Sequence, residues 1–226
     1  MPDIDLDRLM NEPIYAFDFQ FMIGDVQDYL DLSESNIEWQ YRSELQSIRR
    51  RAEAGDFEDT PHGYREHLET NAEHRFKVSL PLRIRYGALL ALATAVEWSV
   101  TVLTQHLIEP IGEKPEGKNK TIYVLEVLNE RTGLGRDDPI KDFEALVWVR
   151  NCVAHSAGLE RDYEYWDQLP GVVQRLNGFS LANWHFFGSH VAIEKGALDK
   201  YIQEMKYLVV DLHKAVHEKK VIRSDT

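Results

Sequence analysis

The spacing of apolar residues along the chain predicts helices over most of its length. Apolar positions recur every three or four residues in long segments that contain few prolines, which is the period of an amphipathic helix. The predicted helices lie at residues 13–33, 36–54, 62–78, 81–109, 120–132, 139–156 and 197–219. The sequence therefore predicts a mainly α fold, an antiparallel helical bundle.

Two segments depart from simple amphipathic periodicity. Residues 81–109 are apolar on nearly every face through their middle, which predicts a central, buried helix. Residues 178–195 contain short apolar and aromatic runs around Gly188, which predict a small β-hairpin before the last helix. No repeat or low-complexity linker divides the chain, so we expect a single domain over residues 1–226 with an acidic helical portion at 1–60.

Composition places the chain among globular proteins of a reducing compartment. Charged residues make up 28% and hydrophobic residues 43% of the 226 positions, which excludes a disordered or fibrous chain. Cys152 is the single cysteine, so an internal disulfide is excluded and a zinc-cysteine site has no support. The first residues lack a secretory pattern, and the longest apolar run is well short of the ~20 residues a membrane helix needs. We expect a soluble, cytoplasmic protein with no membrane partner.

The negative charge is concentrated at one end of the chain. The formal net charge is −12, and residues 1–38 hold ten acids against one base, or −9, which leaves −3 for the rest. An acidic total argues against a polyanionic partner. Residues 74–96, however, contain no acid and four bases, a candidate basic surface formed by Arg75, Lys77, Arg83 and Arg85.

The segment 142–158, with the sequence DFEALVWVRNCVAHSAG, carries the candidate chemistry. On a helix Arg150 falls in an apolar stripe, where it must meet a carboxylate, a second chain, water or an anionic ligand. Asn151 and His155 are four residues apart and therefore neighbours. Arg150 and His155 are about 140° apart around the axis. Both reach one phosphate only if the arginine side chain curls back, the helix is distorted, or a symmetry-related copy completes a cleft.

The run Arg150-Asn151-Cys152-Val153-Ala154-His155 resembles the Arg-polar-x(3–5)-His motif of HEPN domains, the higher-eukaryote and prokaryote nucleotide-binding helical bundles. The upstream segment YGALLALATAVEWSVTVL is similar to the long helix that carries an acidic residue toward that motif, here Glu97. The resemblance covers residues 80–215 as a layout, which would form the HEPN core.

The resemblance implies a metal-independent endoribonuclease of the toxin or phage-defence type, with no cofactor and no metal. In that activity His155 would move protons, Arg150 would hold the phosphate, Asn151 would orient the imidazole or bind a phosphate oxygen, and Glu97 would support the arginine. One histidine per chain serves one proton transfer, so a homodimer would bring two motifs together. RNA would be the substrate, contacted also by the basic surface, and an antitoxin or other regulatory protein would be a further partner. Some relatives carry a tyrosine two residues after the histidine; Ala157 stands there, which argues against regulation by tyrosine nucleotidylation.

Other interpretations stay open. The same polar residues could pin the bundle without catalysis, in a HEPN-like protein that only dimerises or binds RNA or a nucleotide. His213 and His217 have the spacing of two metal ligands, although a solvated helix face is the favoured meaning. Cys152 is expected to be a small buried side chain. Loop packing or a protein interface is the expected role of Tyr163, Tyr165 and Trp166.

Overall fold

Helices dominate the computed structural model, which describes residues 14–105, 107, 110–184 and 188–218. The helices are α1 (Ile14–Glu53), α2 (Tyr64–Gln105), α3 (Lys120–Thr132), α4 (Asp137–Ser156), α5 (Leu169–Arg175) and α6 (Ala197–Glu218). Strands β1 (Phe179–Trp184) and β2 (Gly188–Ile193) pair antiparallel, with Leu181 opposite Val191. The predictions of a mainly α fold and of a hairpin before the last helix are confirmed.

Two predicted helix breaks are wrong. Helix α1 runs without interruption through residues 34–35, where the sequence predicts a gap, because no Gly or Pro breaks the backbone there. The Ser35 hydroxyl donates a hydrogen bond to the Leu32 carbonyl, 3.0 Å away, within the helix. Helix α2 also continues through the predicted gap near Pro81. It does so by a π-helical turn, Arg75–Ser79, in which the hydrogen-bonding pattern changes just before the proline that lacks an N–H group.

Contacts divide the chain into two compact units, residues 28–88 and residues 1–27 with 89–226. The smaller unit has its own apolar core around Ile48, Ala72 and Phe76. In the same unit Arg85 donates to Glu34 over 2.6 Å, and both side chains are less than 15% exposed. The single-domain interpretation stays a prediction, and residues 1–13 of the acidic portion lie outside the described residues.

The larger unit is built around the apolar middle of α2. Leu89, Leu92 and Val96 are fully buried, which confirms the predicted buried helix for its described part. The other helices of the unit supply fully buried side chains as well: Phe19, Leu125, Leu128, Phe143, Leu146, Tyr201 and Met205. Helix α2 is long and apolar enough to cross a membrane, but half of its most apolar window is buried within the protein. That burial is typical of the core helix of a soluble protein.

Helices α3 and α4 are joined by a turn that a buried asparagine organises. The Asn129 amide donates to Asp137 Oδ1 over 2.9 Å, and its oxygen accepts the backbone N–H of Arg136 over 2.8 Å. Asp137 is the first residue of helix α4, and its carboxylate accepts the bond from Asn129. Because Asn129 is only 6% exposed, the start of α4 is tied to the end of α3.

One prediction concerns the start of α3. The Asn119 side chain accepts hydrogen bonds from the backbone N–H groups of Thr121 and Ile122, at 2.8 and 3.2 Å. Asn119→Ala removes this cap, so we expect the free energy of unfolding to fall by about 1 kcal/mol and the melting temperature by about 2–4 °C. Circular dichroism melting measures both. Asn119→Asp keeps the acceptor and is the control; equal melting of the alanine variant and wild type would contradict the assignment.

Candidate functional site

The motif lies in the last two turns of α4, where the helix passes from the core to the surface. Phe143, Leu146 and Val147 are at most 3% exposed, and the Arg150 side chain that follows on this stripe is 26% exposed. Ala154, the next position of the stripe, is exposed. The apolar stripe therefore ends at Arg150, which stands at the boundary between core and solvent.

Arg150 is held by two oxygen acceptors. Its Nη2 donates to Glu97 Oε2 over 2.9 Å, and its Nη1 donates to Asn151 Oδ1 over 3.0 Å. The Glu97 side chain is 27% exposed, so the ion pair is shielded from water on most sides. Each of these bonds uses one donor, and a guanidinium has five. Of the partners for Arg150 expected from the sequence, the structure supplies a carboxylate, that of Glu97 on α2. The adjacent carboxamide of Asn151 is a further partner that was not expected.

The bond to Asn151 decides how the arginine is directed. Arg150 and His155 start about 140° apart on the helix, while Asn151 and His155 start only about 40° apart. By donating to Asn151 Oδ1, the guanidinium curls toward the side of α4 that carries the histidine. Helix α4 stays α-helical through Ser156, so no distortion is involved. This is the first of the three routes by which the two side chains could share a ligand.

His155 is exposed, and it does not join the Arg150 network. Within the described part of the chain, no protein group makes a hydrogen bond or an ion pair with its imidazole. Both ring nitrogens therefore remain open to solvent or to a ligand. The residues that sequence reasoning selected thus form a partly buried network of Arg150, Asn151 and Glu97 with an exposed imidazole one helical turn beyond Asn151.

A turn after His155 fixes the end of α4. Ala157 adopts a left-handed conformation with φ 53°, which glycine usually takes at this position. Gly158 follows with φ 84°, and its carbonyl accepts the backbone N–H of Val191 over 2.9 Å. The hairpin strand β2 therefore anchors the segment that ends the motif helix. The strain of a non-glycine left-handed residue is borne two residues from His155.

Cys152, inside the motif, faces the core. It is fully buried, and its thiol lies 3.8 Å from the Leu159 carbonyl. Burial and the nearby negative charge of Glu160 raise the pKa of Cys152 to about 11. A thiol with this pKa stays protonated near neutral pH and is a poor nucleophile. The expectation of a small buried side chain is met.

The predicted basic surface belongs to the 28–88 unit, whereas the motif belongs to the other unit. Arg85 is largely buried against Glu34, and Lys77 donates to Glu73 over 2.7 Å, a bond that raises the pKa of Lys77. Arg75 and Arg83 are exposed and lie over the rings of Phe76 and Tyr86, at 5.2 and 5.7 Å. Two of the four bases are therefore paired with acids, Lys77 with Glu73 one turn earlier on the same helix and Arg85 with Glu34 from α1.

The histidine pair of the last helix does not form one face. His213 is 2% exposed, and its Nε2 lies 2.9 Å from the Ser99 hydroxyl, whereas His217 is exposed. The favoured solvated face is therefore wrong for His213, which faces the core. Among the described residues, no group of three or more His, Cys, Asp or Glu side chains is placed to hold a metal ion.

The aromatic residues after the motif pack against α4. Tyr163 is 6% exposed and makes an edge contact with Trp148, with ring centroids 6.4 Å apart. Tyr165 contacts the same indole at 5.5 Å, while Trp166 is 58% exposed. Loop packing thus describes Tyr163 and Tyr165. Trp148 itself carries no motif signal, yet its spacing of three and seven residues from Asn151 and His155 places it on their side of α4.

Comparison with known proteins returned no match: no protein-family model, no curated protein and no solved structure is similar to this chain.

The buried thiol yields a prediction about reactivity. A rise in pKa from 9.0 to about 11 lowers the thiolate fraction near pH 8 about a hundredfold, and burial blocks access as well. We expect Ellman's reagent to label Cys152 at least a hundredfold more slowly in the native protein than in denaturant. Following absorbance with and without guanidinium measures this. Labelling of the native protein at the rate of the denatured chain would show that the motif helix is not packed as described.

Proposed function

We propose that this protein is a metal-independent endoribonuclease of the HEPN type, acting in the cytoplasm as a toxin or phage-defence effector. The observation that carries the proposal is the exposed, uncommitted imidazole of His155 beside a guanidinium that curls toward it through Asn151. Glu97 accounts for the remaining bond of Arg150. An antitoxin or other regulatory protein would restrain such an activity in the cell.

The proposed chemistry uses the donors that the network leaves uncommitted. Arg150 commits two of its five N–H groups to Glu97 and Asn151, which leaves three for phosphate oxygens. His155 removes the proton from a ribose 2′-hydroxyl, the 2′-oxygen attacks phosphorus, and the bond to the 5′-oxygen breaks. The leaving 5′-oxygen takes up a proton from a second imidazole, that of the motif in a partner copy. The products are a 2′,3′-cyclic phosphate and a 5′-hydroxyl. Arg150 stabilises the negative charge that develops on the phosphate oxygens in the transition state.

The need for a second proton donor supports a homodimer. Each chain offers one imidazole at the motif, and two chains would offer one base and one acid. Beside Glu97, helix α2 presents exposed side chains at a spacing of three and four residues: Ala91, Thr94, Trp98 and Thr101. Trp98 is 38% exposed. We propose that this outer face of α2 meets the same face of a second copy and brings two motifs together.

The first test is cleavage of RNA in the presence of EDTA. We expect His155→Ala and Arg150→Ala to lower the cleavage rate at least a hundredfold, the contribution of a positioned acid–base group. His217→Ala, an exposed histidine of α6, is the matched control and should cleave like wild type. Product ends identified by mass spectrometry should be cyclic phosphates. Wild-type protein that leaves varied single-stranded RNAs intact would contradict the proposal.

The second test concerns the dimer. Trp98→Glu places a charge on the proposed face, so we expect the mass in solution, measured by sedimentation equilibrium, to fall from two chains to one and cleavage to fall with it. Trp39→Glu is the matched control, because Trp39 is 69% exposed on the 28–88 unit. A Trp98→Glu variant that is monomeric and still cleaves RNA at the wild-type rate would overturn the dimeric site.

A second candidate function rests on the same ion pair. Because Arg150 is satisfied by Glu97 and Asn151 within the chain, the network can stabilise the bundle without any reaction. In that case Arg150→Ala would lower the melting temperature, His155→Ala would leave it unchanged, and wild type would show no nuclease activity. The protein would then be a helical module that dimerises or binds RNA or a nucleotide.

A further inference from the structure

A groove between α4 and α5 lies on the histidine side of the motif helix. Its volume is about 340 Å³, near the lower end of the range for small-ligand sites. Ala145 and Trp148 line it from α4, and Gly171 and Val172 line it from α5. Lys141, Glu144, Gln168 and Arg175 complete the lining. The groove therefore combines an indole ring with two cationic side chains and one carboxylate.

The indole is held in place by its neighbours. Tyr163 and Tyr165 contact Trp148 at interplanar angles of 85° and 73°, which are edge-to-face arrangements. The two tyrosines also contact each other at 5.8 Å. Because the two tyrosine rings already hold the indole in place, it loses little conformational freedom when a ligand packs against it. This is the condition for an aromatic stacking platform.

The fold does not require a glycine at position 171, one of the residues that line the groove. Nothing lies within 4 Å of a Cβ atom built on Gly171, and its backbone is not left-handed. Glycine is among the least favourable residues inside a helix. Because Gly171 lines the groove, a large side chain at this position would occupy part of it.

The groove and the motif lie along one line of α4. Trp148, Asn151 and His155 are spaced by three and four residues, so they share one side of the helix. Seven residues of helix rise about 10 Å, which is close to the length of three stacked nucleotides at about 3.4 Å each. A ligand strand that places a phosphate at His155 can therefore place a nearby base at Trp148.

We propose that the Trp148 groove is a subsite for one unpaired base of a single-stranded RNA whose phosphate lies at His155. The proposal rests on the proposed function. The indole stacks on the base, and Lys141 faces the phosphate next to it. Lys141 is exposed and, in the described part of the chain, has no ion-pair partner, whereas Arg175 is paired with Asp142 at 3.3 Å. A base-paired strand cannot offer a base in this way, so the subsite selects single strands.

The test measures binding rather than cleavage. The probe is a fluorescent hexanucleotide with 2′-O-methyl riboses, which cannot react, together with six versions that each lack one base. For wild type we expect removal of one particular base to weaken binding about tenfold, the effect of one lost stack. Gly171→Leu fills the groove and should weaken binding of the intact probe about tenfold while abolishing its sensitivity to that base.

Matched controls separate the effect of filling the groove from an effect on the folding of the protein. Gly24→Leu makes the same change at an exposed glycine of α1 with nothing within 4 Å of its Cβ position, and it should bind the probe like wild type. A duplex form of the probe offers no unpaired base, so its binding should be the same for wild type and for both leucine variants. Lys141→Ala should weaken all probes alike and lower the salt dependence by about one ion. Melting curves check that each variant is folded.

The outcomes distinguish the two proposals. If wild type binds with a base-dependent step and never cleaves unmodified RNA, the subsite stands and the nuclease proposal fails. If wild type cleaves RNA while Gly171→Leu binds and cleaves like wild type, the nuclease proposal stands and the subsite is overturned. Equal binding of all six base-deleted probes to wild type also overturns the subsite.

Discussion

The ion pair between Arg150 and Glu97 is the interaction on which the candidate site depends. A guanidinium in a largely apolar stripe is costly unless acceptors surround it. Glu97 meets this requirement from a helix 53 residues earlier in the chain, and Asn151 meets it from the next position. The pair fixes the motif end of α4 against the central helix, and it directs the arginine toward the side that carries His155.

The surroundings of this pair hold the motif helix at both ends. Asn129 ties the first residues of α4 to α3, and the turn after His155 is anchored on strand β2 through Gly158. Tyr163 then folds back on Trp148 from the segment beyond the turn. The exposed imidazole thus belongs to a helix whose position is fixed by buried contacts. A rigid helix of this kind is what holds a functional side chain in a constant position toward its ligand.

Some charged side chains are already paired with acids of the same chain, while others remain available to a ligand. The base-rich, acid-free stretch 74–96 suggests a basic surface, yet Glu34 and Glu73 occupy Arg85 and Lys77. The Glu73–Lys77 pair follows the i,i+4 spacing of one helix. The Glu34–Arg85 pair joins residues 51 positions apart, which a count of charges along the sequence does not reveal. By contrast, His155 and Lys141 keep no protein partner among the described residues, and they lie on the same side of α4 as Trp148.

Local pattern alone was enough for the helical class, the α3 helix from 120 to 132, the hairpin and the buried middle of α2. The choice of Arg150, Asn151, His155 and Glu97 as candidates came from a resemblance in sequence and stays a prediction. Periodicity reports burial of a helix face, and this signal lies within a few residues of sequence. The uninterrupted α1 and the π turn before Pro81 are local features that apolar spacing did not predict. The short α5, the burial of His213 and the groove at Trp148 depended on tertiary structure. Each of these results from contacts between segments far apart in the chain, so no local pattern contains them.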